Sequence, residues 1–230
     1  MNFSPESRGI LRMPLAEYGR SALGASLRYI PSTGRTRLLV SAGIHGEEPE
    51  TTFLLSRVLR AFEKPFESVA FVLCANPDGV TLGTRGNANG VDLNRNFPTS
   101  NWSKDPVGSR SILEAPRDTL LSAGAAPGSE PETAALVALI QKLSPEAVLS
   151  MHAPMACVDA HVRSPLVESL CEAFGVPWHA DIGYPTPGSL GTWCKEQKSP
   201  ECITLELPRM SLEALFDRYA LSFAQWLETI

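Results

Sequence analysis

The stretch from Leu38 to Phe62 constrains the fold more than any other part of the chain. An apolar run, Leu38-Leu39-Val40, leads into Ser41-Ala42-Gly43-Ile44-His45-Gly46-Glu47-Glu48-Pro49-Glu50, and an amphipathic segment, Thr51 to Phe62, leaves it. That order predicts a buried strand, a tight glycine-containing turn and a helix opened by proline. A second apolar run, Val69 to Cys74, predicts another buried strand and hence a βαβ unit with a largely parallel sheet. In open sheets of that kind, chemistry collects where strand ends face helix N-termini. The turn puts His45 and Glu48 at that position, close enough to share one divalent ion.

The remaining chain extends the same pattern. Ala25–Ile30 and Arg37–Ala42 read as strands, and residues 1–20 as a capping segment. From Asn76 to Gly128 the chain is rich in Gly, Asn, Pro and Ser and reads as a long irregular, functional loop. Ser129 with Glu132 fits a capping box opening a helix to Leu143. A short strand, Ala147–Met151, then ends on His152, Pro165–Phe174 is a helix, and Glu201–Leu207 is a strand closed by Pro208. Ser211 caps a final helix to Leu227. No repeat or linker interrupts the 230 residues, so one domain spanning 1–230 is expected.

Composition narrows the classes of partner. A net charge of −5 with no basic stripe argues against nucleic acid. No apolar run reaches the roughly 20 residues needed to span a bilayer. Met1–Glu6 lacks the basic and apolar regions of a secretory signal, and the five cysteines form no CxxC pair. The expectation is a cytoplasmic protein with free thiols, either a monomer or a homodimer.

Four further positions carry chemistry. His152 directly follows an apolar strand and can project toward His45, whereas His161 and His179 read as structural. Glu206 interrupts the strand Ile203-Thr204-Leu205-Glu206-Leu207. A carboxylate there is costly unless paired or used; the competing reading is an outward-facing side chain on an edge strand, with Thr204 on the same face. The loop from Gly83 to Pro98 carries Arg85 and Arg95, whose guanidiniums suit a carboxylate or a developing oxyanion.

Taken in order, His45-Gly46-Glu47-Glu48, Asn94-Arg95-Asn96-Phe97, His152 and Ile203-Thr204-Leu205-Glu206 resemble the zinc metallocarboxypeptidase family, to which carboxypeptidase A belongs. The resemblance runs from about Leu38 to Pro208. It implies a single-domain α/β/α sandwich around a mixed, largely parallel twisted sheet. It implies one zinc ion held by His45, Glu48 and His152, with Glu206 as general base and then acid. It further implies that Arg85 polarises the scissile carbonyl, that Asn94 and Arg95 hold the substrate's free carboxylate, and that Tyr184 caps the substrate.

Asn76-Pro77-Asp78-Gly79-Val80, the stretch Gly83–Pro98 and Tyr184-Pro185-Thr186-Pro187-Gly188-Ser189 resemble a compact bacterial subgroup acting on murein tripeptide, L-Ala-γ-D-Glu-meso-diaminopimelate. Asp181, Ser189 and Thr192 are candidates for lining its side-chain pocket. The chain departs from the digestive members in Ala153-Pro154 after His152, where a cis bond fits, and in its shorter arginine loop. A general carboxypeptidase for α-peptides, an aspartoacylase-like deacylase and a non-catalytic binding module are the alternatives. The Asn94–Phe97 motif disfavours the deacylase, and the intact ligand set disfavours the binding module.

Overall fold

The computed structural model describes residues 9–111 and 117–230. The N-terminal hexapeptide, the start of the 1–20 segment and part of the 76–128 loop lie outside the described residues. The rest of the capping segment is partly a strand: β1 (Ala16–Arg20) pairs antiparallel with β2 (Ser26–Tyr29).

The central sheet contains β3 (Leu38–Ser41), β4 (Val69–Val72), β7 (Ala147–His152), β8 (Met155–Asp159), β9 (Trp178–His179) and β10 (Glu201–Pro208), ordered β4-β3-β7-β10-β8-β9. Every adjacent pair is parallel except β10 with β8, so the sheet is mixed and largely parallel. Its strands are apolar on both faces, as helices covering both sides require. Leu38, Val40, Leu149, Met151, Ile203 and Leu205 face one layer, built from α1 (Pro49–Leu59), α4 (Pro165–Phe174) and α6 (Leu212–Glu228). Leu39, Ala70, Val72 and Val148 face the other, with α3 (Pro131–Leu143) and α5 (Leu190–Gln197).

The chain leaves β3 toward β4 on one side and β7 toward β8 on the other. The carboxyl ends of β3 and β7 therefore flank a topological switch point, the place where such sheets open a crevice. His45 lies just beyond β3, His152 is the last residue of β7, and Glu206 on β10 is in register with His152.

Segment 76–128 is more ordered than its composition predicts. It contains α2 (Pro77–Leu82), a 3-10 turn at Leu93–Arg95 and an antiparallel pair of β5 (Val107–Ser111) with β6 (Arg117–Leu121). The helix is short and contains proline and glycine, so periodicity does not reveal it; its N-cap does, because the Asn76 side chain accepts a hydrogen bond from the Gly79 amide. The expected cap of α3 also moves. Pro131 occupies the first turn, which makes Glu130 the N-cap residue with no side-chain capping bond. Ser211 does cap α6, accepting from the Ala214 amide.

One close approach holds the site's frame together. A Cβ on Gly46 would collide with the backbone of Gly79, so the turn carrying His45 rests directly on α2. Asn76, fully buried, donates from Nδ2 to the carbonyls of Ile44 (3.2 Å) and Gly86 (3.1 Å), which ties that turn to the Arg85 loop. Gly46→Ala is expected to destabilise the protein by about 3 kcal/mol through this overlap, read as a lowered denaturation midpoint with unchanged slope.

Candidate active site

The side chains of His45, Glu48 and His152 are buried and converge. His45 Nδ1 lies 2.8 Å from Glu48 Oε1, His152 Nδ1 lies 3.2 Å from Glu48 Oε2, and the two Nδ1 atoms are 3.2 Å apart. The opposite ring nitrogens are each engaged: His45 Nε2 with Asp92 Oδ1 at 3.1 Å and His152 Nε2 with Ser150 Oγ at 3.0 Å. With Nε2 of His45 donating to Asp92, its Nδ1 presents a lone pair inward. Two such lone pairs and a carboxylate facing one another are repulsive unless a cation lies between them. Two donors about 2 Å from a tetrahedral zinc ion stand about 3.3 Å apart; the two 3.2 Å spacings match, and the His45–Glu48 pair, at 2.8 Å, is tighter. The residues present fit a zinc ion with three protein ligands and an open position.

Local sequence explains how each donor is aimed. Glu48 is the N-cap residue of α1 but makes no side-chain capping bond, because its carboxylate turns into the site. Thr51 does the bracing instead: its hydroxyl donates to the Glu48 carbonyl (2.8 Å) and accepts from the Gly43 amide (3.1 Å). The positive end of the α1 dipole further favours a carboxylate there. The Ala153 amide also points at Glu48 Oε2, at 3.3 Å, and the Ala153–Pro154 bond is cis.

The charges respond to this crowding. Burial and Arg85 pull the His45 pKa down, Glu48 and Asp92 pull it up, and the net effect is a rise. Burial opposes ionisation of Glu48 and Asp92, yet both sit below the ordinary carboxylate range. His45 and His152 hold Glu48 there, and Arg85 and His45 hold Asp92. Asp92 links the two halves of the site, accepting from Arg85 Nε at 2.9 Å as well as touching His45. Arg85 Nη1 approaches Glu48 (3.4 Å) and Glu47 (3.5 Å). The sequence places Asn76 and Asp92 inside resemblance motifs but gives neither a role of its own. The signals were there: an acid between the apolar Val91 and Leu93, and an asparagine directly before Pro77.

A cleft of about 370 Å³ opens over the donors and is lined by Arg85, Asn94, Arg95, Tyr184 and Glu206 among others. The eight residues to which the family resemblance gives a metal, catalytic or substrate-binding role therefore share one site. Glu206 is buried and accepts from the Met155 amide at 3.4 Å. Burial raises its pKa, His152 pulls it back, and Glu48 adds to the rise. Asn94 Oδ1 accepts from the Leu190 amide at 2.9 Å, and Arg95 Nη1 donates to the Asn94 carbonyl at 2.7 Å. Burial and the neighbouring Arg85 lower the Arg95 pKa against the pull of Asp92. Tyr184 is half exposed on the loop before α5. That loop is pinned to the arginine segment where the Phe97 amide donates to the Gly188 carbonyl at 2.8 Å. Ser189 and Thr192 also line the cleft, whereas Asp181 does not; His161, read as structural, does.

A carboxypeptidase-like sheet with a two-imidazole, one-carboxylate donor set at its switch point defines a zinc hydrolase. The same fold appears in the crystal structure of carboxypeptidase A from Helicoverpa armigera (TM-score 0.71, 17% identity, 95% of this chain and 67% of that one). The chain belongs to the zinc carboxypeptidase family, whose model matches residues 15–158. It is 42% identical to murein peptide amidase A of Escherichia coli K12 over 223 residues, covering 96% of this chain and 92% of that protein. The Vibrio campbellii murein peptide amidase A is 41% identical over 214 residues, 92% of this chain and 86% of that protein. The crystal structure of the murein-tripeptide amidase from Escherichia coli O157 superposes with a TM-score of 0.89 at 41% identity, covering 99% and 98% of the two chains.

Asp92→Asn is expected to weaken zinc binding about 10- to 100-fold, because it removes the partner that orients His45. Competition with a chromogenic chelator measures it.

Proposed function

We propose that the chain is a zinc-dependent amidase that cleaves the γ-D-glutamyl–meso-diaminopimelate bond of murein tripeptide during cell-wall peptide recycling. It works in the cytoplasm as one catalytic domain spanning residues 1–230. The observation that carries this reading is the pair Asn94 and Arg95 lining the same cleft as the donor set and Glu206. A paired amide and guanidinium select a substrate with a free carboxylate beside the cut. In the tripeptide, the γ-amide nitrogen belongs to the L-centre of diaminopimelate, whose carboxylate lies next to it. The relatives at 41–42% identity are murein peptide amidases, which supports the same substrate.

In this reading His45 and His152, through Nδ1, and Glu48 hold one zinc ion. When bound, the zinc supplies a Lewis acid and lowers the pKa of water to about 7. Glu206 takes the proton from the attacking water and passes it to the departing amine, and burial suits it to both tasks by raising its pKa. Arg85, anchored through Nε to Asp92, offers its remaining N–H groups to the oxygen that becomes negative. Asn94 has its Oδ1 occupied by the Leu190 amide, which leaves Nδ2 to donate to the substrate carboxylate beside Arg95. Tyr184 closes over the bound peptide from its exposed loop.

Incubating the protein with murein tripeptide and with a hippuryl α-peptide, followed by mass analysis, tests the proposal. Free diaminopimelate is expected from the tripeptide; chelator abolishes its release, added zinc restores it, and Glu206→Gln slows it about 10²- to 10⁴-fold. Cleavage of the hippuryl peptide alone would instead identify a general carboxypeptidase.

A further inference from the structure

The end of the cleft beyond Glu206 carries a second carboxylate. Asp159 on β8 stands opposite Thr204 on β10, and Thr204 shares a sheet face with Glu206 by the strand's period of two. All three line the cleft. Asp159 is half-buried, and among the described residues its carboxylate accepts no hydrogen bond and joins no ion pair. The charged and titratable groups around it are His161, Asp181, His179 and His152. Asp181, the acid nominated from the sequence, is instead turned back on its own loop, accepting from the Gly183 amide at 2.6 Å.

Position matters as much as charge. Two residues of strand separate Thr204 from Glu206, a rise of about 6.7 Å. In diaminopimelate, four carbon–carbon bonds join the L-centre to the second stereocentre, a span of about 5 Å, and the ammonium nitrogen lies one bond further. A residue whose scissile amide sits by Glu206 and whose side chain runs along β10 toward Thr204 is therefore long enough to bring its end level with Asp159.

We propose that Asp159 is the specificity-determining residue: its carboxylate receives the ammonium at the far end of the released residue's side chain. The enzyme accordingly prefers a leaving residue that ends in a cation over one of equal length that ends in a methyl group. The identity of that cation as diaminopimelate rests on the murein reading, whereas the preference for a cation does not. Asp159 touches the side chain, not the reacting bond.

Three tripeptides, L-Ala-γ-D-Glu-X, with X as meso-diaminopimelate, L-lysine or L-norleucine, test this on the zinc-loaded protein. Lysine places its ammonium the same number of bonds from the backbone as diaminopimelate does, without the second carboxylate. In the wild type, kcat/KM for lysine is expected to exceed that for norleucine, and Asp159→Asn should reduce that ratio about 10- to 100-fold. An unchanged ratio in Asp159→Asn overturns the assignment. Should that variant fail to fold, parity between lysine and norleucine in the wild type overturns it equally. A wild type that prefers lysine but leaves the diaminopimelate peptide intact contradicts the murein reading and supports Asp159. One that cleaves the diaminopimelate peptide with lysine–norleucine parity does the reverse.

Discussion

The structure depends on the facing of two imidazole nitrogens and one carboxylate across about 3 Å of buried space. Stripped of a cation, that arrangement places acceptor lone pairs against one another in a region where water cannot screen them. Surrounding contacts serve to keep the three donors there. Asp92 and Ser150 hold the outer ring nitrogens, Thr51 braces the turn beneath Glu48, and Asn76 fastens that turn to the arginine loop. Buried charges of this kind add little net stability by themselves. Their use is to fix a metal's ligands before the metal arrives.

The sheet supplies the precision. His45 and His152 leave neighbouring strands at the switch point, and Glu206 is aligned with His152 by the β7–β10 ladder. A hydrogen-bonded register sets such spacings more tightly than a loop would. The loops then line the cleft above it with Arg85, Asn94, Arg95 and Tyr184. Even these are tethered, through Asp92, the Leu190 amide and the Phe97–Gly188 contact. The site combines a rigid metal floor with a cationic wall stitched to it.

Much of this was legible in the sequence, for identifiable reasons. The apolar run before His45 and the proline after Glu48 mark a strand, a turn and a helix start, and the protein has all three. Period two correctly put Thr204 and Glu206 on one face. Whether that face met solvent depended on β8, which the sequence did not reveal, because Met155-Ala156-Cys157-Val158-Asp159 is short, follows a proline and lacks apolar–polar alternation. With β8 on its flank, β10 is an interior strand, and the outward-facing reading of Glu206 fails. Asp159, the last residue of β8, is hidden in the sequence for the same reason, whereas Asp181 stands in an evident Gly- and Pro-rich loop. The cap of α3 shifted by one residue because proline's fixed φ outweighed a serine in the right neighbourhood.

X-ray absorption at the zinc edge of the purified protein tests the central claim most directly. The account predicts a light-atom shell only, with two imidazole nitrogens and carboxylate oxygen at about 2.0–2.2 Å. Sulfur scattering at about 2.3 Å, or a single imidazole in the shell, would contradict it.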